Sequence, residues 1–239
     1  KSKYGNSIDD ILISLNEKRE RISVLNDYDS YLQKLEQQLA KKEKELAQIS
    51  DEVSEIRQRS AVKLVSEIKS ALNDLNFLDV QFDMQFDRLS DYTANGIDAP
   101  EFLISTNPGE PLKPLGKVAS GGELSRIMLG IKTIMAENDH IESLIFDEID
   151  SGISGRTAQM VSEKMNELGR NHQIICITHL PQIAAMADAH FLIEKAVENK
   201  STVSRIRRLS DNDSVAELAR MLGGAKITDT VMESAREMK

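Results

Sequence analysis

Ser120-Gly121-Gly122-Glu123-Leu124-Ser125-Arg126 is the stretch that decides the fold, because 21 residues beyond Arg126 the apolar run Leu144-Ile145-Phe146 ends in Asp147-Glu148. The first segment opens a helix, and the second closes a buried strand. The first turn of a helix offers unpaired N–H groups and the positive end of its dipole to an anion. Glycines there clear away the side chains that would block a phosphate. Taken alone, a Ser-Gly-Gly before a helix also suits an ordinary capping loop. The Leu144–Phe146 strand delivers two carboxylates to the C-terminal edge of a sheet, where open parallel sheets bind ligands. At that edge Asp147 can hold a magnesium ion through water, and Glu148 can orient or deprotonate an attacking water. The next apolar strand ends in Thr178-His179, so an imidazole reaches the same edge and the same terminal phosphate. Strand-end acids and a strand-end histidine are individually compatible with solvated or structural roles. In this order and spacing, the three segments point to nucleotide hydrolysis.

Working outward, the pattern predicts a helix at about 122–137, a strand at 143–147, a helix at 155–168 and a strand at 173–178. Apolar strands alternating with helices make an α/β unit with a mostly parallel sheet and flanking helices. Upstream, Asp79, Gln81, Asp83, Gln85 and Asp87 alternate with Leu78, Val80, Phe82, Met84 and Phe86, which is a strand from Phe77 with one wet face. Asn95-Gly96 and Asn107-Pro108-Gly109 mark turns around a second strand, Glu101 to Ser105. A short helix from Pro181, strands near 190–194 and 202–209, and helices from Ser214 and Thr228 complete the chain. There is no internal repeat.

Between Ser7 and Asn76 there is neither Pro nor Gly, and helix formers dominate. A helix of about 65 to 70 residues would reach roughly 100 Å at 1.5 Å per residue. Leu25, Leu32, Leu39, Leu46 and Val53 fall seven apart, and Tyr28, Leu35, Lys42, Ile49 and Ile56 form a second such series. This is the seam of a coiled coil. Ile8, Leu15 and Ile22 share the step but are offset by three, which implies a stammer near Ile22–Leu25. The seam thins after Ile56, and the chain has no second stretch of this kind. Its partner helix comes from another segment or another chain: a copy in a parallel dimer, or the other strand of an antiparallel hairpin. The expected organisation is a coiled-coil arm over 1–76 and a globular lobe over 77–239.

The 239 residues, 40% of them hydrophobic, suffice for a core, while the 29% that are charged concentrate in the first 70 positions, as an exposed helix requires. A net charge of −9 gives no general support for wrapping nucleic acid. The single cysteine, Cys176, lies in an apolar run and reads as packing, so an intrachain disulfide is excluded. No run of 18 uncharged apolar residues and no basic leader occur, so a soluble, unexported chain with no membrane partner is expected. The phosphate-gripping loop GxxxxGK followed by Ser or Thr is missing: Gly116-Lys117 precedes Val118, Pro111 stands five before Gly116, and Gly224-Ala225-Lys226-Ile227-Thr228 has the wrong spacing. On its own the chain is expected to bind nucleotide poorly and to hydrolyse it negligibly.

The runs VASGGELSRIMLGIK, LIFDEIDSGISGRTAQMV and ICITHLPQIAAMADAHFLIEK resemble the bacterial RecN family, DNA double-strand-break repair ATPases related to the SMC proteins. FLISTNPGEPLKPL and the KYG near the N-terminus are also similar, and before Asn76 the resemblance is one of coiled-coil character. It implies the C-terminal lobe of an ABC-type ATPase head with the returning strand of a hairpin coil. The phosphate loop and the other coil strand would then lie on an N-terminal lobe of the same protein. It also implies that Ser120, Gly121, Gly122 and Glu123 form the signature that caps ATP on an opposing head. By the same resemblance Asp147 positions magnesium, Glu148 acts on the attacking water, Asp150 pairs across the dimer and His179 senses the terminal phosphate. ATP and Mg2+ would be the ligands, a homodimer of ATP-engaged heads the working form, and the bacterial cytoplasm and nucleoid the location. Ala119 stands where many related ATPases have Leu.

An ABC transporter subunit would need a membrane-coupling insert and no long coil. A non-catalytic coiled-coil adaptor would have no use for the signature and Asp147-Glu148 at this spacing. For DNA, local candidates are Lys195, Lys200, Arg205, Arg207 and Arg208, with Arg205 and Arg207 on one strand face. Acids surround them, which suits a solvated surface, and DNA contact is expected mainly through the assembled dimer.

Overall fold

The computed structural model describes residues 4, 7–77, 79–117, 120–136, 140–198, 201–224 and 226–239. Lys3 and Gly5 of the KYG segment, Leu78 of the alternating run, Val118, Ala119, Lys200 and Ala225 lie outside the described residues. Helix α1 runs Ile8–Asp74. It opens with a capping box: Ser7 Oγ accepts from the Asp10 N–H at 3.1 Å, and Asp10 Oδ2 accepts from the Ser7 N–H at 3.0 Å. It closes at Asn76, whose φ of 66° is left-handed, with the Phe77 N–H reaching back to Leu72 O at 3.1 Å.

The chain forms two compact units, one of residues 1–59 and 88–98, the other of 60–87 and 99–239. In the first, the expected seam is bare: Leu25, Leu32, Leu39, Leu46, Tyr28, Leu35, Ile49 and Ile56 are all exposed. Its fixed point is Asp98, which accepts from Ser54 Oγ at 2.7 Å and Arg57 Nη1 at 2.9 Å. The Ser54 hydrogen bond, with Arg57 beside it, outweighs burial and holds this carboxyl below the usual range.

In the second unit the end of α1 is core: Ile68 and Leu72, with Leu75 just beyond the helix, are each at most 1% exposed. The compact units therefore do not divide at Asn76. Beyond residue 60 the apolar face of α1 packs into the core of the second unit. Strands β1 (Gln81–Thr93), β2 (Gly96–Ser105) and β3 (Lys113–Pro114) form a sheet in the order β1-β2-β3. The alternation holds: Phe82 is buried and Met84 and Phe86 are half-buried, while Gln81, Asp83, Gln85 and Asp87 are exposed. β1 begins later than Phe77, because the residues around Asn76 terminate the helix.

Then follow α2 (Gly121–Met135), β4 (Ser143–Phe146), α3 (Gly155–Leu168), β5 (Gln173–Cys176), α4 (Pro181–Ala185), β6 (Phe191–Glu198), β7 (Ser201–Arg208), α5 (Asp211–Gly223) and α6 (Asp229–Met238). β4 and β5 pair in parallel, with Phe146 opposite Cys176. β2–β3 and β6–β7 are antiparallel. Among the described residues, the parallel sheet is thus the β4–β5 pair, the two apolar strands that the sequence placed between helices. Helix α2 is the wedge of the core. Ile127 and Ile131 pack with Ile68, Leu72, Phe82 and Ile104, and Leu129 packs in the cluster of Phe146, Ile149, Val161 and Met165. Gly130 permits the close crossing: a Cβ there would lie 3.1 Å from Leu72 Cδ2. Cys176 is half-buried against this core, and burial, with the charges of Asp150 and Asp147, pushes its thiol up to about 12. No described helix is long and apolar enough to cross a membrane.

Candidate functional site

The parallel register of β4 and β5 positions the chemistry. With Phe146 opposite Cys176, and the Ile177 N–H donating to Phe146 O at 3.0 Å, the chain leaves both strands at one level. Asp147-Glu148 and Thr178-His179 therefore emerge side by side, at the sheet edge predicted from the sequence. Asp147, Glu148 and His179 are exposed there.

The turn after β4 is tight. Glu148 has a φ of 57°, in the left-handed region that non-glycine residues rarely adopt, and Ser151 N–H closes the turn on Glu148 O at 3.0 Å. Three groups hold this conformation. Asp147 Oδ1 accepts from the Glu148 N–H at 2.9 Å, Ser125 Oγ donates to Asp147 O at 2.9 Å, and Arg126 Nη1 donates to Ile149 O at 3.1 Å and Ser151 O at 2.9 Å. Arg126 is 7% exposed and lies over the Phe77 ring at 5.6 Å. Burial lowers the guanidinium's pKa and Glu123 opposes that shift; an arginine remains charged regardless.

Ser120 caps α2 from an extended conformation, its hydroxyl accepting from the Glu123 N–H at 3.5 Å. The two glycines lie against the turn that carries the acids. A Cβ on Gly121 would come within 2.8 Å of Glu148 Oε2, and one on Gly122 within 2.8 Å of Ser151 Cβ and 2.9 Å of Glu148 O and Ser151 O. At Gly122 only hydrogen leaves room for the backbone of the turn, and at Gly121 a methyl group would displace the Glu148 carboxylate. The helix N-terminus and the acid pair, far apart in sequence, thus form one surface.

Asp150, expected to pair across a dimer, is turned inward in this chain and 3% exposed. Its Oδ2 accepts from Thr178 Oγ1 at 2.6 Å and the His179 N–H at 2.8 Å, and lies 2.9 Å from His179 Nδ1. Burial would raise its pKa; the hydrogen bonds from Thr178 and the His179 backbone, with the His179 charge, outweigh burial and hold the carboxyl below the usual range.

The structure thus brings Ser120, Gly121, Gly122, Glu123, Asp147, Glu148, Asp150 and His179 to one edge. Arg205 and Arg207 lie elsewhere, on β7. Arg207 reaches Glu194 at 3.5 Å and Asp213 at 4.0 Å, and Arg205 stands opposite Glu194 in the ladder. Arg126, Ser125 and Thr178 gain roles that the sequence reading did not assign. Their signal was there, since Ser125 and Arg126 close the heptapeptide and Thr178 precedes the histidine. Among the described residues no group of three His, Cys, Asp or Glu side chains could cage a metal. Asp147, with one oxygen on the Glu148 N–H and an exposed carboxylate, fits a magnesium ion reached through water.

No protein-family model matches the chain. The DNA repair protein RecN of Bacillus subtilis (strain 168) is 42% identical over 253 residues, covering 100% of this chain and 44% of that protein. RecN of Halalkalibacterium halodurans is 40% identical over 242 residues, covering 100% of this chain and 43% of that protein. Among solved structures, the Smc head domain with a coiled coil and joint from Pyrococcus yayanosii shares the fold, with a TM-score of 0.51 at 19% identity over 88% of this chain and 38% of that one. The chain spans less than half the length of the curated relatives it matches, and along its entire own length it belongs to the RecN family.

Proposed function

We propose that the chain acts as the C-terminal lobe of a RecN-like ATPase in DNA double-strand-break repair, supplying the signature segment, the acid pair and the histidine of composite ATP sites. The observation that carries this reading is the packing of Gly121 and Gly122 on the Glu148–Ser151 turn, at the edge where β4 and β5 also deliver His179. In this reading Glu148 orients the attacking water and accepts its proton. His179 faces the terminal phosphate, and the first turn of α2 from Ser120 offers its N–H groups to ATP held by an opposing head. Asp147 would hold magnesium through water; the ion, when bound, screens phosphate charge.

A lobe that brings the phosphate loop is required by this reading. Supporting it, Ile145, Ile175 and Ile177 expose an apolar face on β4–β5, 68%, 46% and 50% accessible, as a sheet does when further structure packs on it. The bare seam of α1 supports a partner coil strand in the same way. ATP-driven engagement of two such heads forms the homodimer, and DNA binds mainly to that assembly.

Mixing this chain with the upstream lobe tests the reading. Magnesium-dependent ATP turnover should appear in the mixture and be absent from either part. Charge reversal at Arg205 and Arg207 should leave DNA affinity of the assembly within about twofold; a larger loss would put the β6–β7 hairpin in the DNA interface.

A further inference from the structure

Two hydrogen bonds and an ion-pair contact converge on a single oxygen of Asp150: the Thr178 hydroxyl donates at 2.6 Å, the His179 backbone N–H donates at 2.8 Å, and His179 Nδ1 lies 2.9 Å away. The aspartate side chain is 4% exposed, whereas the imidazole is 74% exposed. A carboxylate oxygen accepts and does not donate, so a ring nitrogen 2.9 Å from it is matched by the tautomer with the hydrogen on Nδ1. The ring's other nitrogen, Nε2, is then left facing out from the edge that bears Glu148. The Thr178 hydroxyl also accepts from the Leu180 N–H at 3.0 Å, which fixes the corner after β5.

We propose that Asp150 is a positioning residue that sets the tautomer and direction of His179, presenting Nε2 to an anionic phosphate oxygen of the bound nucleotide. This rests on the proposed ATPase reading. Nδ1 is committed to the carboxylate, so the ring has one outward group: a lone pair on Nε2 when neutral, a donor to phosphate when charged. Asp150 belongs to the same turn as Glu148, since the Ser151 N–H binds Glu148 O and the Ile153 N–H binds Asp150 O at 3.4 Å. One turn therefore carries the acid beside the water and sets the direction of the imidazole. The carboxylate is buried within its own chain, so this role is fulfilled before any second head arrives.

The first test begins with the native chain and needs no activity. The chain contains four histidines, so 15N-histidine labelling and long-range 1H–15N correlation at pH 8.5 can assign each tautomer. His179 should be the Nδ1–H form in the native chain and shift to the Nε2–H form common for free side chains in Asp150→Ala, with the other three histidine signals unmoved. Nε2–H in the native chain overturns the proposal. The second test is a cycle on the mixture with the upstream lobe. Asp150→Ala should lower turnover at least tenfold with His179 present, with KM for ATP changed under threefold, and less than twofold in a His179→Ala background; equal losses in both backgrounds overturn it. Turnover unaffected by Glu148→Gln would instead sink the ATPase reading, and the tautomer result would still decide the role of Asp150.

Discussion

The edge formed by α2, the β4 turn and the end of β5 differs instructively from the β6–β7 hairpin, although both drew attention for their charges. At the edge, charge is buried and held by fixed partners: Arg126, 7% exposed, bonds two carbonyls of the turn, and Asp150, 3% exposed, accepts from the Thr178 hydroxyl and the His179 N–H with the His179 ring 2.9 Å away. On the hairpin, Arg207 is 52% exposed and shares loose contacts with Glu194 and Asp213, while Ile193 and Ile206 face solvent. Charges of the first kind define a conformation, because removing one leaves buried partners unsatisfied. Those of the second kind are screened and replaceable.

Substitutions that break this contrast should rank accordingly. Arg126→Ala strands the Ile149 and Ser151 carbonyls and should cost about 2–4 kcal/mol, read as a fall in urea midpoint. Gly122→Ala forces a Cβ against Glu148 O and Ser151 O, both backbone atoms; about 1–3 kcal/mol is expected by the same measurement. Gly121→Ala meets only the far end of the Glu148 side chain, so stability should fall by less than about 1 kcal/mol while turnover in the assembled protein drops. Equal stability losses at the two glycines would contradict the packing described.

Asp150→Asn sharpens the comparison through pH. The Asp150 pKa is depressed in the folded chain, so its stabilisation is present above the unfolded value of about 3.9 and fades as pH falls through the folded value. The gap in melting temperature between the native chain and Asp150→Asn should be flat from pH 8 to 5 and close below about pH 4. The smallest effect belongs to the hairpin: Arg207→Ala should change stability by about 1 kcal/mol or less, with the change vanishing at high salt.

Periodicity made much of the fold legible. Helix α3 was expected at 155–168 and runs Gly155–Leu168, and the alternation around Phe82 describes the exposed and covered faces of β1. Local pattern did not reveal where α1 stops being coil and becomes core. Ile68 and Leu72 continue the helix and Leu75 follows it, and their burial depends on α2, whose Gly130 is distant in sequence. At the site, the motif spacing named the acids, the glycines and His179, but not the inward turn of Asp150 or the burial of Arg126. Asp and Arg are ordinarily surface residues, and only the register of β4 with β5 brings Thr178 to Asp150.

In the proposed function this chain supplies the water-activating acid to an ATP site completed by another lobe. The most direct measurement is single-turnover ATP hydrolysis by the chain mixed with the phosphate-loop lobe, comparing native protein with Glu148→Gln. A loss of about 100-fold or more in the Glu148→Gln mixture, with nucleotide binding retained, is the result expected of an acid that acts on water. Turnover unchanged by Glu148→Gln would contradict it.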